Sequence, residues 1–308
     1  MNIMKFKILF FLHNYFYIIL NFLVKTFLEL FVFDKKIRRL LKGRFCKWFL
    51  SNYIKRIESQ NINLINNCSS YRIWQYWDTG IENAPDIVKV CMNSVSKYKG
   101  DLERVILNDS NIKDYVTIPE YIYKLKNKGI ISKAHFADIL RTYLLYYHGG
   151  CWIDATVLLT DYLPNYIKFS ELFVFRANPE DDPDELNMTN YLISSKGSSI
   201  LIAKMKAFLD LYWKENFFTI NYFFYMHAFT MFTQSSEENI KEFSTVFNVP
   251  YAVVQQMEKE LSNEYSEKRF SELKSMISVH KLSYKVDNIF KHKDKNINNS
   301  LYNYLIKR

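Results

Sequence analysis

Asp138, Arg141 and Asp154 are the residues whose types and spacing best suit chemistry in this 308-residue chain. Asp154 lies in Cys151-Trp152-Ile153-Asp154-Ala155-Thr156-Val157-Leu158-Leu159, an otherwise near-continuous apolar run of strand type. A carboxylate there is costly to bury unless something pairs with it, so a functional role is favoured over a brace for loop amides. The strand period of two puts Thr156 on the same face. A carboxylate and a hydroxyl together supply part of the oxygen set that a hard divalent ion prefers. Asp138 and Arg141 stand three apart in a helical run and share a face. Alone they would be an ordinary intrahelical ion pair. Their face continues into Ala134 and Leu145, however, and the helix leads directly to Asp154, which favours a binding role.

Three further residues are weaker candidates. Trp74, in an early strand, is odd there unless its ring has a partner, a core indole being the ordinary case. Asn190 is either a turn residue at a strand end or a polar contact. His280 is a candidate metal ligand or phosphate contact, although an isolated histidine is commonly neither.

The elements that must position these residues can be traced in the pattern. Ser132 is a good N-cap, and Phe136, Leu140, Tyr143, Leu144 and Tyr147 give helical spacing over 133–147. Gly149 and Gly150 end that helix and force a reversal into the strand that carries Asp154. Upstream, residues 71–77 and 103–107 read as strands, separated by a helix from Pro85 to about Tyr98. Short helices follow near 109–115 and 119–128. Downstream come strands at 172–175 and 190–194 around an acidic, turn-rich loop (178–190). A helix to about Trp213 and helices over 218–233, 237–246 and 252–274 follow, then a short element at 278–285. Strand–helix alternation predicts an α/β fold with a mostly parallel central sheet, whose ligands sit beyond the carboxyl ends of the strands. No GxGxxG or GxxxxGK[ST] is present, so dinucleotide and P-loop readings lack a phosphate cradle.

The formal charge of +9 is confined to one end. Residues 1–60 hold 12 Lys/Arg against 3 Asp/Glu, and the other 248 hold 29 of each. The body is neutral, and no nucleic-acid partner is expected. Residues 8–33 are strongly apolar and aromatic, with charges only at Lys25 and Glu29, and the charge-free run Ile8 to Val24 contains His13, Asn14 and Asn21. Seven Lys/Arg then fall between Lys35 and Lys47. An apolar segment beside a basic cluster predicts contact with an anionic membrane surface. If the segment spans, the charge asymmetry keeps the body on the cytoplasmic side. Four cysteines without a CxxC pair suit a reducing compartment. The expected organisation is a membrane-associating segment at 1–60, a globular domain at 68–290 and a polar tail at 291–308.

Several pieces together resemble the bacterial capsular polysaccharide synthesis glycosyltransferases, relatives of glycosyltransferase family 32 and of the glucosylating toxins. They are Ile73-Trp74-Gln75-Tyr76-Trp77 with Asn83-Ala84-Pro85, the run Lys128 to Arg141, Gly149-Gly150-Cys151-Trp152-Ile153-Asp154-Ala155-Thr156-Val157, Asn190-Tyr191-Leu192-Ile193, and His280-Lys281-Leu282-Ser283-Tyr284-Lys285. The resemblance implies a GT-A fold, a nucleotide-sugar donor, a glycan or lipid-linked saccharide acceptor, a divalent metal (Mn²⁺ or Mg²⁺) and retention at the anomeric carbon. It assigns Asp154 to metal and ribose, Asp138, Arg141 and Asn190 to the sugar with Arg141 near the diphosphate, and Trp74 or Trp77 to a uracil-type base. Thr156 stands where the wider superfamily's Asp-x-Asp motif has its second aspartate. Two rival readings follow from that position. One is a DxDx[TV]-type phosphotransferase, which Asp154-Ala155-Thr156-Val157 half fits. The other is a sugar-binding assembly subunit without catalysis.

Overall fold

The computed structural model describes residues 3–65, 71–177, 182, 184–285, 290 and 297–307. Its centre is a five-stranded sheet in the order β2-β1-β3-β6-β5, built from β1 (Arg72–Tyr76), β2 (Glu103–Leu107), β3 (Gly150–Ile153), β5 (Leu172–Arg176) and β6 (Met188–Ser195). β1 pairs in parallel with both β2 and β3, and β6 runs antiparallel to β3 and β5. Four strands therefore share one direction and β6 opposes them. β4 (Val157–Leu159) leaves this sheet and pairs antiparallel with β7 (Val279–Lys281).

Alternation along each strand sorts the core into two faces. Trp74, Trp152, Val174 and Ile193 face one layer of helices. That layer comprises α2 (Lys35–Glu58), α5 (Lys133–His148), α7 (Ile200–Glu215) and α8 (Phe224–Phe232). Ile73, Cys151, Ile153, Phe173, Phe175 and Leu192 face the opposite side, where β4 and β7 pack. A third cluster joins α3 (Asp86–Tyr98) to the last helix, Leu301–Lys307. The end of the expected polar tail is thus part of the body.

The chain passes from β1 through α3 to β2 on one side, then through α5 to β3 on the other side of β1. The carboxyl ends of β1 and β3 therefore flank a change of winding direction, where open α/β sheets leave a crevice. The glycine pair makes the α5–β3 connection possible. Gly149 has φ 65° and Gly150 φ 96°, and a Cβ on Gly150 would stand 2.3 Å from the Arg72 carbonyl oxygen.

Several expectations are corrected. The run 151–159 is not one strand: it breaks after Ile153 into a turn closed by Val157 N–H to Asp154 O (2.9 Å). Asp154 is therefore at a strand end, not in a strand interior. The expected helix 252–274 is three pieces, Tyr251–Val254, Gln256–Glu260 and Glu267–Met276, and helix 218–233 shortens to α8. Residues 178–181 and 183 of the acidic loop lie outside the described residues.

The N-terminal segment forms α1 (Ile3–Phe31) and α2. α2 is integral to the core through Cys46, Leu50, Tyr53 and Ile57. Four of the seven basic residues between Lys35 and Lys47 are paired: Arg39 with Asp184, Arg44 and Lys47 with Glu185, and Lys42 with Glu29.

Candidate active site

A cleft of about 550 Å³ opens beyond the ends of β1 and β3. Tyr76, Trp77 and Asp78 line it from β1, and Trp152, Asp154 and Thr156 from β3 and its turn. Asp138 and Arg141 of α5, Asn190 of β6, Tyr225 of α8 and Lys281 of β7 complete it. A depression of about 590 Å³ at the amino ends of the strands, near Tyr71, Tyr98 and Tyr162, gathers none of the candidate residues. The candidate residues gather in the first cleft.

Arg141 organises the floor. It is almost fully buried, and its guanidinium lies 3.2 Å from Asp138 Oδ1 and 3.4 Å from Asp154 Oδ1. It also donates to the Asn190 carbonyl and, through Nε, to the Ala137 carbonyl at 3.2 Å. The Trp152 and Tyr225 rings pack on it at 5.1 and 6.0 Å. Asn190 Nδ2 donates to Asp138 Oδ1 at 2.7 Å. Asp138, Arg141, Asp154 and Asn190 thus form one connected network, and the i,i+3 pair is more than a local ion pair. Burial pushes the Asp138 carboxyl up to about 6, with the Asp154 charge adding to the rise and Arg141, His135 and the Asn190 bond opposing it.

Asp154 is held from two sides. The Trp152 indole N–H donates to its Oδ1 at 2.7 Å, and the Lys281 ammonium lies 3.5 Å from its Oδ2. The same ammonium donates to the Thr156 hydroxyl. Thr156 does flank Asp154, though through the turn and not through strand parity.

Two candidates are placed elsewhere. Trp74 is fully buried, and its indole N–H donates to the Gly149 carbonyl at 2.8 Å, so its ring offers no face to a base. Trp77, three residues on, lines the cleft and meets Tyr284 edge-on at 5.5 Å. His280 is 1% exposed, and its Nε2 lies 3.2 Å from the Thr160 hydroxyl on the far side of β7 from Lys281. Burial lowers its imidazole to about 4. It is a core histidine and does not reach Asp154.

Sequence reasoning undervalued Lys281 and missed Trp152 and Tyr225. Trp152, two residues before Asp154, carried a usable signal, because the β period turns both toward one side. Tyr225 comes from α8, some 84 positions after Arg141, with nothing local to mark it.

A Mn²⁺ or Mg²⁺ at this site would draw on Asp154 and Thr156. Among the described residues no three of His, Cys, Asp and Glu are grouped to hold an ion. The two available oxygens already face Lys281. A divalent ion and an ammonium at about 4 Å repel by ~8 kcal/mol at an effective dielectric of 20. As arranged, the donors suit the ammonium and not a divalent ion.

A search of curated proteins finds no match. Among solved structures, the chain resembles one described as "PaToxG Glycosyltransferase" at 15% identity, covering 88% of this chain and 97% of that one, with a TM-score of 0.36. That superposition is too loose to assign a role to any residue. The decisive match is to a family, described as capsular polysaccharide synthesis protein, which extends over residues 10–305. Spanning nearly the whole chain and both sides of the cleft, this match means that the protein belongs to the capsular polysaccharide synthesis family.

Proposed function

We propose that the chain is a glycosyltransferase of GT-A type that moves a sugar from a nucleotide-sugar donor to a growing polysaccharide or lipid-linked glycan. The observation that carries this reading is the convergence of Asp138, Arg141, Asp154 and Asn190, from three separate elements, on one cleft at the carboxyl ends of β1 and β3. Trp77 and Tyr284 at the mouth offer aromatic faces for the base. Asp138 and Asn190 are hydrogen-bonding partners for sugar hydroxyls. Arg141 and Lys281 supply the positive charge that a departing diphosphate needs.

In the reaction the bond from the anomeric carbon to the diphosphate oxygen breaks and its electron pair stays on the diphosphate. The acceptor oxygen bonds to the anomeric carbon, and its proton passes to the diphosphate. Retention at that carbon is the outcome the family resemblance implies.

We infer that the chain works at a membrane, on the cytoplasmic side that the basic residues after the apolar segment favour. What supports this is α1, whose Ile8–Phe31 portion is long and apolar enough to cross one. Phe11, Phe16, Phe22, Leu23, Phe27 and Phe31 on it are each more than half exposed. Its other side is docked: Asn14 bonds the Glu215 carbonyl at 3.0 Å and the Phe217 N–H at 2.8 Å. That docking favours a helix lying along the membrane over one crossing it, since α2 and residues 215–217 would otherwise enter the bilayer with it.

The test is to incubate the full chain with a panel of UDP-, GDP- and CDP-sugars, with and without a lipid-linked saccharide, and to assay release of nucleoside diphosphate. Turnover of one donor supports the reading. No turnover of any donor opposes it.

A further inference from the structure

Resting on the glycosyltransferase reading, we propose that Lys281 takes the place of the divalent cation, so that donor activation in this chain requires no metal. Its ammonium occupies the position where a metal would have to sit. It lies 3.5 Å from Asp154 Oδ2 and donates to the Thr156 hydroxyl, the two side-chain oxygens a metal would use.

Its location is set by backbone as well as side chain. Lys281 is registered opposite Val157 in the β4–β7 ladder, and the next residue, Leu282, donates its N–H to the Thr156 carbonyl at 2.9 Å. The Asp154–Thr156 turn and Lys281 are therefore positioned by one small sheet. The Tyr191 ring lies 5.9 Å from the ammonium, and Glu258 is near enough for its carboxyl to be drawn down by the same charge, although burial raises that carboxyl overall.

The logic is one of charge. Two carboxylates, Asp138 and Asp154, face two fixed cations, Arg141 and Lys281, and Lys285 also lines the cleft. Thr156 in place of a second aspartate fits the same account. A second carboxylate would be needed to hold a divalent ion, whereas a hydroxyl is enough to accept from an ammonium. Lys281 and Arg141 then receive the charge that appears on the diphosphate oxygen as the bond to the sugar breaks. Asp154 acts on Lys281 as a positioning residue, and Lys281 itself touches the donor.

The test uses the full chain stripped with EDTA, and two measurements. In the first, calorimetry follows UDP and GDP binding in EDTA for wild type, Lys281→Met and Lys281→Arg. Wild type is expected to bind one of them without metal. Lys281→Met should weaken that binding by about 10- to 100-fold, as for loss of a charged hydrogen bond, and Lys281→Arg should restore part of it. In the second, turnover of the donor is compared in EDTA and in Mn²⁺. Wild type should be equally active in both, and Mn²⁺ should not rescue Lys281→Met. Turnover abolished by EDTA and restored by Mn²⁺ would overturn the proposal, as would a folded Lys281→Met that binds and reacts like wild type. If no donor is turned over at all, the glycosyltransferase reading fails by itself, while the calorimetry still decides whether Lys281 replaces a metal at a nucleotide site. Unchanged melting temperatures for both variants verify that they are folded.

Discussion

At the scale of single residues, the two nearby tryptophans sit in opposite settings although the family resemblance offers both as platforms. Trp74 is sealed in the core with its N–H bonded to Gly149, and Trp77 borders the cleft. Replacing Trp77 by alanine should raise the donor dissociation constant by roughly 5- to 150-fold, the range for lost base–aromatic stacking, with some loss of stability because the ring also packs against the α3 cluster. Trp74→Phe should instead lower stability by ~1–3 kcal/mol, leaving the Gly149 carbonyl unpaired, and leave donor affinity unchanged. Calorimetric binding and thermal melts of the two variants separate these effects. The same dehydrated floor makes Asp138 sensitive to pH. With its carboxyl raised to about 6 by burial, the folded state holds a proton that the unfolded chain, near 3.8, has lost. The contribution to stability is full below about 4 and is lost as pH rises through about 6, a change of up to about 3 kcal/mol. Melting temperature followed from pH 4 to 7 should show this component, and Asp138→Asn should remove it. A variant with the wild-type slope would show that another group titrates.

At the scale of elements, legibility followed how local the determinants are. The α5 helix, its Ser132 cap and its glycine stop were readable because each depends on neighbours in sequence, and the Ser132 hydroxyl does accept from the His135 N–H at 3.2 Å. The same holds for β1, α3 and β2, whose alternation announced the parallel arrangement. The break between β3 and β4 was not readable. Nothing in Ile153-Asp154-Ala155-Thr156-Val157 signals a change of sheet, because the partner that draws β4 away, β7, lies about 120 residues later. His280 and Lys281 necessarily face opposite ways along β7, and which of them meets the Asp154 turn depends on the β4–β7 register, which nothing local marks. Gly150 tests the positioning argument. Gly150→Ala demands a Cβ 2.3 Å from the Arg72 carbonyl at a φ of 96°, and should cost at least about 3 kcal/mol in denaturant unfolding. Alanine accepted at a cost below about 1 kcal/mol would mean that β1 and β3 need not approach so closely.

At the scale of the whole molecule, the charge imbalance pointed to an anionic membrane, and the structure changes why a membrane is expected. Arg39, Arg44 and Lys47 of the basic cluster are paired with acidic residues of the body and Lys42 with Glu29 of α1, whereas the outward face of α1 is apolar and uncovered in the chain itself. Binding to vesicles should therefore persist at ~0.5 M salt, where exposed charges are largely screened. It should fall when Phe16, Phe22 and Phe27 are together replaced by serine, with the melting temperature of the body retained. Release by salt, or undiminished flotation of the triple variant, would return the role to the basic cluster. The central claim concerns the cleft, and Asp154→Asn tests it most directly. The substitution keeps the shape of the side chain but removes the charge that holds Lys281 and Arg141 in register. On the donor that the wild type turns over, kcat/KM should fall by about 10²- to 10³-fold, part of it as weaker donor binding through the displaced Lys281, in a protein that still melts cooperatively. Turnover equal to wild type in a folded Asp154→Asn protein would contradict the assignment of this cleft as the active site.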